Sequence, residues 1–165
     1  MEKSIINKYL YLYLYLYLYL YLLMGENAIS LNVFSSFIFL TNAGLAYYYN
    51  YTLYLIIFLL LFTTSVTHHY YQTFTTNIID KISILLVVSY GFYIFINKCL
   101  NNSLLLKDYI CIIAVILTFL STIYLYCYGY ICNEYCFCQD LIEQEYYHGF
   151  MHCMASLGHH IIMLM

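Results

Sequence analysis

The sequence predicts an all-α protein: an integral membrane helical bundle of about five transmembrane helices, plus a Tyr-Leu repeat leader that counts as a sixth if it spans. Three observations predict it. Of the 165 residues, 65% are hydrophobic and only 8% charged, with no proline or tryptophan, and a soluble domain could not solvate such a surface. The apolar runs approach the roughly 20 residues that a helix needs to cross hydrocarbon. Short polar breaks separate them. The formal charge of −3 and the mere five lysines offer no basic patch to a nucleic-acid backbone, and no glycine-rich phosphate loop is present. Nucleic acids and nucleotides are therefore not expected partners.

The chain divides into a low-complexity hydrophobic leader, residues 1–24, and a helical membrane domain, residues 25–165. Tyr9 to Leu22 is an unbroken Tyr-Leu repeat, a period of two that would separate tyrosine and leucine on opposite faces of a strand. As a helix, the apolar stretch to Met24 reaches roughly 24 Å, short of a roughly 30 Å hydrocarbon core. It can lie at the interface, span with thinning, or act as a signal-anchor. After Gly25-Glu26-Asn27, helices are expected at about 29–48, 51–70, 78–97, 108–130 and 147–165. The polar breaks are Asn50 and residues 73–77, 98–107 and 133–145.

If each helix crosses once, the second ends, and the third and fifth begin, on the membrane side where the first starts. That parity brings Thr63-Thr-Ser65-Val-Thr-His68-His69, Asp80, His148 and His152 to one level. Lys98 and Lys107 lie in a connection on the opposite side, while Glu134, Asp140, Glu143 and Glu145 lie on the shared side. The positive-inside tendency makes the lysine side cytoplasmic and turns the shared level to the lumen or exterior. Lys3 and Lys8 agree if the leader spans. The sequons Asn50-Tyr-Thr and Asn101-Asn-Ser fall on the cytoplasmic side, where glycosylation would not reach them.

The last segment, His148-Gly-Phe-Met-His152-Cys-Met-Ala-Ser-Leu-Gly-His159-His160, concentrates four imidazoles. His148 and His152 share a helix face with Cβ atoms roughly 5–6 Å apart, close enough to chelate one metal ion. An H-x-x-x-H spacing alone also fits core or surface histidines. Inside a membrane segment, burying several polar rings without partners costs energy, which shifts the balance toward ligation. Two histidines from the fifth helix and a third from the second, with water in the fourth position, would make an open zinc site. Asp80 could then take a proton, or could simply be an N-cap. His159 and His160 lie roughly 10–18 Å along the axis from the first pair, too far to share one ion, and read as bundle-facing or C-terminal interface residues.

These motifs, in this order, resemble the CREST superfamily of multi-span membrane hydrolases, the alkaline ceramidase and progestin-adiponectin receptor group. Ser35-Ser36-Phe37, His68-His69, Ile79-Asp80-Lys81 and His148-Gly-Phe-Met-His152-Cys153 are most similar to its myomaker-like branch. The likeness covers about residues 33–97 and 145–165. It implies a zinc ion bound by His69, His148 and His152. It also implies Ser65 steadying the water or a developing oxyanion, and Asp80 as general base. The implied reaction is hydrolysis of an amide or ester bond in a membrane lipid (ceramide, phospholipid or GPI lipid) by zinc-activated water.

The family has seven membrane helices, and the pair between the third and the last is missing here. Losing a pair preserves the parity, but leaves the wall of a lipid cavity open or completed by another subunit of a homo-oligomer. His68 is a second candidate ligand beside His69. Cys132-Asn-Glu-Tyr-Cys136-Phe-Cys138 fits disulfides better than a zinc pattern if its side is extracytoplasmic. Cys99, Cys111, Cys127 and Cys153 read as small packing residues. Beside the hydrolase stand two other readings: a non-enzymatic membrane-remodelling or fusion protein with structural zinc, and an inactive shortened homologue.

Overall fold

A computed structural model describes residues 30–101 and 105–165. The Tyr-Leu leader, Lys3, Lys8 and the end of the Asn101-Asn-Ser sequon lie outside these residues. The described chain is helical throughout, with no strand. Its order is α1 (Leu31–Ser36), α2 (Ile38–Tyr48), α3 (Thr52–Tyr71), α4 (Phe74–Asn101) and α5 (Leu106–Ile123). A π turn (Tyr124–Tyr128), α6 (Gly129–Cys132), a 3-10 turn (Tyr135–Phe137) and α7 (Leu141–Leu164) follow. Among the described residues, three helical stretches are long and apolar enough to cross a membrane: Thr52–Tyr71, Phe74–Leu100 and Leu106–Cys132.

The other two expected spans depart from that pattern for local reasons. The first is interrupted at Phe37, between α1 and α2. There the Ser35 and Ser36 hydroxyls both donate to the Asn32 carbonyl, at 3.1 and 2.8 Å, competing with backbone amides for the same acceptor. The last, α7, carries four imidazoles and the buried Ser156, which lower its apolar character.

Several boundaries move from the sequence expectation. Of the break expected at residues 73–77, all but Thr73 is already helix: Thr73 caps α4, its hydroxyl accepting from the Thr76 amide at 3.2 Å while the Thr76 hydroxyl accepts from the Thr73 amide at 3.1 Å. Asp80 therefore lies in the second turn of α4 and is not its N-cap. Likewise α7 begins at Leu141, not 147, because Asp140 accepts from the Ile142 and Glu143 amides, the side-chain cap that starts a helix well. At the α2–α3 junction, Asn50 takes a left-handed conformation with φ of 60°. The Tyr51 amide reaches back to the Ala46 carbonyl at 2.8 Å and the Asn50 amide to Tyr47 at 3.1 Å, the hydrogen-bond pair of a Schellman stop.

Helix α7 packs against α1, α2 and α5 and touches α4, while α3 packs against α1, α2 and α4. The backbones of α3 and α7 hardly approach each other. Ala43 and Ala46 are buried on α2, and such small residues let neighbouring helices come close. Tyr54, Phe58, Leu61, Val87 and Ile162 complete the core between them. A second cluster, Leu125, Cys136 and Met151, fastens the 3-10 turn to α7.

Among the described residues Cys132, Cys136 and Cys138 form no disulfide, so the one expected there is absent. Cys136 is turned inward under Met151, whereas Cys132 is exposed at the end of α6. The two thiols serve different surroundings.

Candidate metal centre

Helix α3 carries His68-His69 in its last turn, and α7 presents His148 and His152 one turn apart. His69, His148 and His152 each offer a ring nitrogen, and the three atoms lie within 4.8 Å of one another. The ring centroids are 4.9 Å apart for His69 and His148, 5.4 Å for His69 and His152, and 4.8 Å for His148 and His152. His69 and His152 are buried and His148 half-buried. Phe39 packs against the His152 ring at 5.1 Å.

The hydrogen bonds bear on whether these rings suit a metal. His69 Nε2 is buried without a hydrogen-bond partner, a situation that costs about 1–3 kcal/mol if left unrelieved. His152 Nδ1 lies 2.8 Å from Ser35 Oγ. If the single Ser35 proton goes to the Asn32 carbonyl, the bond to His152 must run from Nδ1–H to Ser35 Oγ, leaving Nε2 with its lone pair exposed to the cluster. A second partner that fixes the tautomer in this way is the usual companion of a ligating histidine. Three neutral imidazoles with one orphaned nitrogen fit a borderline metal ion such as Zn2+.

His68 stands apart from the cluster. It is half-buried, 5.2 Å ring to ring from His69, and its Nδ1 meets Thr76 Oγ1 at 3.4 Å. Ser65, one turn before His69, is buried and pairs with Ser36 Oγ at 2.8 Å. Because Ser36 already donates to Asn32, the Ser65 proton goes to Ser36. Ser65 thus keeps lone pairs to accept with, and its donor is committed. Asp80 is buried, and its nearest hydrogen bond comes from Thr64 Oγ1, at a long 3.4 Å. It is the one buried acidic side chain among the described residues.

Two further residues position this level without having been singled out as site residues from the sequence. Ser35 holds His152, and Glu145 receives Ser30 Oγ at 2.7 Å and the Leu31 amide at 3.1 Å, so the start of α7 caps the start of α1. The Ser35-Ser36 pair was visible only as part of a family-like motif. Its partner 117 residues away was not.

Deeper in the bundle, His159 and His160 face inward, the first of the two roles expected for them. Asn42 Nδ2 donates to the Ser156 carbonyl and lies 3.0 Å from His160 Nδ1. Ser156 Oγ donates to Asn42 Oδ1 at 2.5 Å, and His160 Nε2 is 3.2 Å from Thr41 Oγ1. His160 Nδ1 also lies 2.8 Å from the Ser156 carbonyl, and Thr41 spends its own proton on the Ile38 carbonyl, so each ring nitrogen of His160 faces an acceptor. Comparisons with family models, with curated proteins and with solved structures give no match to this chain.

Proposed function

We propose that the chain is a five-span membrane protein that hydrolyses an amide or ester bond of a membrane lipid at a zinc site formed by His69, His148 and His152. The observation that carries the reading is the triad itself: three imidazole nitrogens within 4.8 Å, two of the rings buried and one half-buried, with one nitrogen lacking any other partner. Polar groups are costly at membrane depth and usually mark function there. The order of motifs that resembles the CREST superfamily supplies the reaction class.

The membrane setting has its own support. Helix α3 is 20 residues long, roughly 30 Å, the thickness of a hydrocarbon core. Exposed aromatics mark its two ends, Tyr47, Tyr48 and Tyr49 before it, Tyr70 and Tyr71 in its last turn and Phe74 just beyond, as in the aromatic belts at membrane surfaces. His69 is adjacent to the second belt. The triad would then sit at the level of lipid ester and amide linkages, on the lumenal or exterior side if Lys98 and Lys107 mark the cytoplasm.

A zinc ion held there would supply a Lewis acid that polarises a carbonyl and makes water acidic near neutral pH. Ser35 keeps His152 Nε2 directed into the cluster. Asp80 receives the proton of the attacking water, as the buried carboxylate at this level. Ser65 accepts a hydrogen bond from that water and leaves oxyanion stabilisation to other groups, because its donor is spent on Ser36.

Zinc content of the detergent-purified chain tests the centre: about one zinc per chain, absent from His152→Ala, is expected. Asp80→Asn should keep the zinc and lose turnover of ceramide, phospholipid or GPI lipid. Zinc in neither protein would sink the metal reading, and unaltered turnover would sink the base. The committed Ser65 donor favours one other reading, a non-enzymatic membrane-remodelling protein with structural zinc. In that case Asp80→Asn would be silent in a cell-mixing assay.

A further inference from the structure

Helices α3 and α7 together carry the triad, yet their backbones scarcely meet. Two sets of side chains span the space between them. One is the triad itself. The other, toward the opposite ends of the helices, is Tyr54 of α3 with His159 of α7. The Tyr54 hydroxyl and His159 Nδ1 form a short, buried hydrogen bond, and both side chains are almost wholly enclosed.

This second bridge is built in detail. Phe58 and Phe119 meet the His159 ring edge-on, at 5.3 and 5.0 Å, and Tyr90 meets Tyr54 at 5.3 Å. Helix α4 makes room by presenting Gly91: a Cβ there would lie 2.6 Å from both His159 Cε1 and Tyr54 Oη, which no real contact tolerates. A glycine at this point lets the pair fit between three helices.

We propose that the Tyr54–His159 pair is a positioning device for the triad. Resting on the reading of the triad as a metal site, the inference is that this bridge fixes the spacing and rotation of α3 against α7 so that His69 meets His148 and His152. Neither residue touches the metal position. With α3 and α7 otherwise joined only through α1, α2 and α4, freeing this end lets the helices shift, and three ligand atoms are sensitive to shifts well below the size of a side chain.

The test uses Co2+ as the probe, bound to the full chain in detergent, with its visible spectrum and its affinity read by chelator competition. Tyr54→Phe is expected to weaken Co2+ binding about tenfold, the low end for losing an outer support of a metal site, and to alter the visible bands. Gly91→Ala, which crowds the pair without deleting a group, should do the same if Tyr54→Phe does not fold. Val115→Ala, which trims the buried core on α5 without removing any of the ring contacts around the pair, should lower the melting temperature while leaving the bands unchanged.

Wild-type affinity and bands in both Tyr54→Phe and Gly91→Ala would overturn the positioning role and leave the metal site standing. Failure of the wild-type chain to bind Co2+ would overturn the metal reading, and this inference with it.

Discussion

Ser35 Oγ lies 2.8 Å from Nδ1 of His152, joining two residues 117 positions apart in the chain at the point where α1 meets α7. The bond fixes which nitrogen of His152 faces the other two imidazoles. A ligand whose tautomer is fixed in advance has less to reorganise when a metal binds.

Ser35→Ala should therefore lower metal affinity by about 10- to 100-fold without removing a ligand. Chelator competition on the purified protein measures it, beside metal-free melting to exclude unfolding. An affinity equal to wild type would show that the hydroxyl does not orient the ring.

The meeting of His69 with His148 and His152 was legible because it depends on period and order along one chain. The ends of α4 and α7 were not. Thr73 and Asp140 start those helices through local side-chain caps, and their neighbours at 73–77 and 141–145 are polar enough to read as loop. The interruption at Phe37 was hidden because Ser35 and Ser36 look like ordinary small residues until their hydroxyls take the Asn32 carbonyl. Tyr54 is one of 24 tyrosines, and nothing local separates it from those that face outward. Such partnerships arise from tertiary placement, which a single sequence does not encode by spacing.

Glu145 is the cap of a helix that begins 114 residues earlier, accepting from the Leu31 amide and from Ser30 Oγ. A carboxylate at a helix N-terminus satisfies free amides and complements the dipole. Glu145→Ala should cost about 1 kcal/mol, the usual value of a lost cap, and speed hydrogen exchange in α1 more than in α3. Equal exchange in α1 of the two proteins would refute the capping role.

The cysteines of the α6–α7 connection should differ in reactivity. Burial pushes the Cys136 thiol up to about 11, so the neutral thiol dominates up to that pH and the reactive thiolate is scarce below it. At pH 8 a maleimide should label the exposed Cys132 first and Cys136 last, and Cys136 labelling should climb as the pH rises toward 11. Peptide mass spectrometry over a pH series checks the order. Rapid labelling of Cys136 at pH 8 would mean that the 3-10 turn opens away from Met151.

Gly158 is where α7 meets α5: a Cβ there would lie 2.6 Å from Thr118 Oγ1 and 3.1 Å from Phe119 Cε2. Thr118 cannot easily yield, because it is buried and its hydroxyl donates to the Val115 carbonyl at 2.8 Å. Gly158→Ala should thus destabilise by about 1–3 kcal/mol through overpacking. Thr118→Ala removes the clashing oxygen, so the double variant should recover part of that loss, and the two changes should fail to add by about 0.5 kcal/mol or more. Unfolding of the four proteins in one detergent supplies the cycle. Strict additivity would mean that α5 moves aside to admit the methyl, and that the close α5–α7 contact is not what holds α7 and its imidazoles in place.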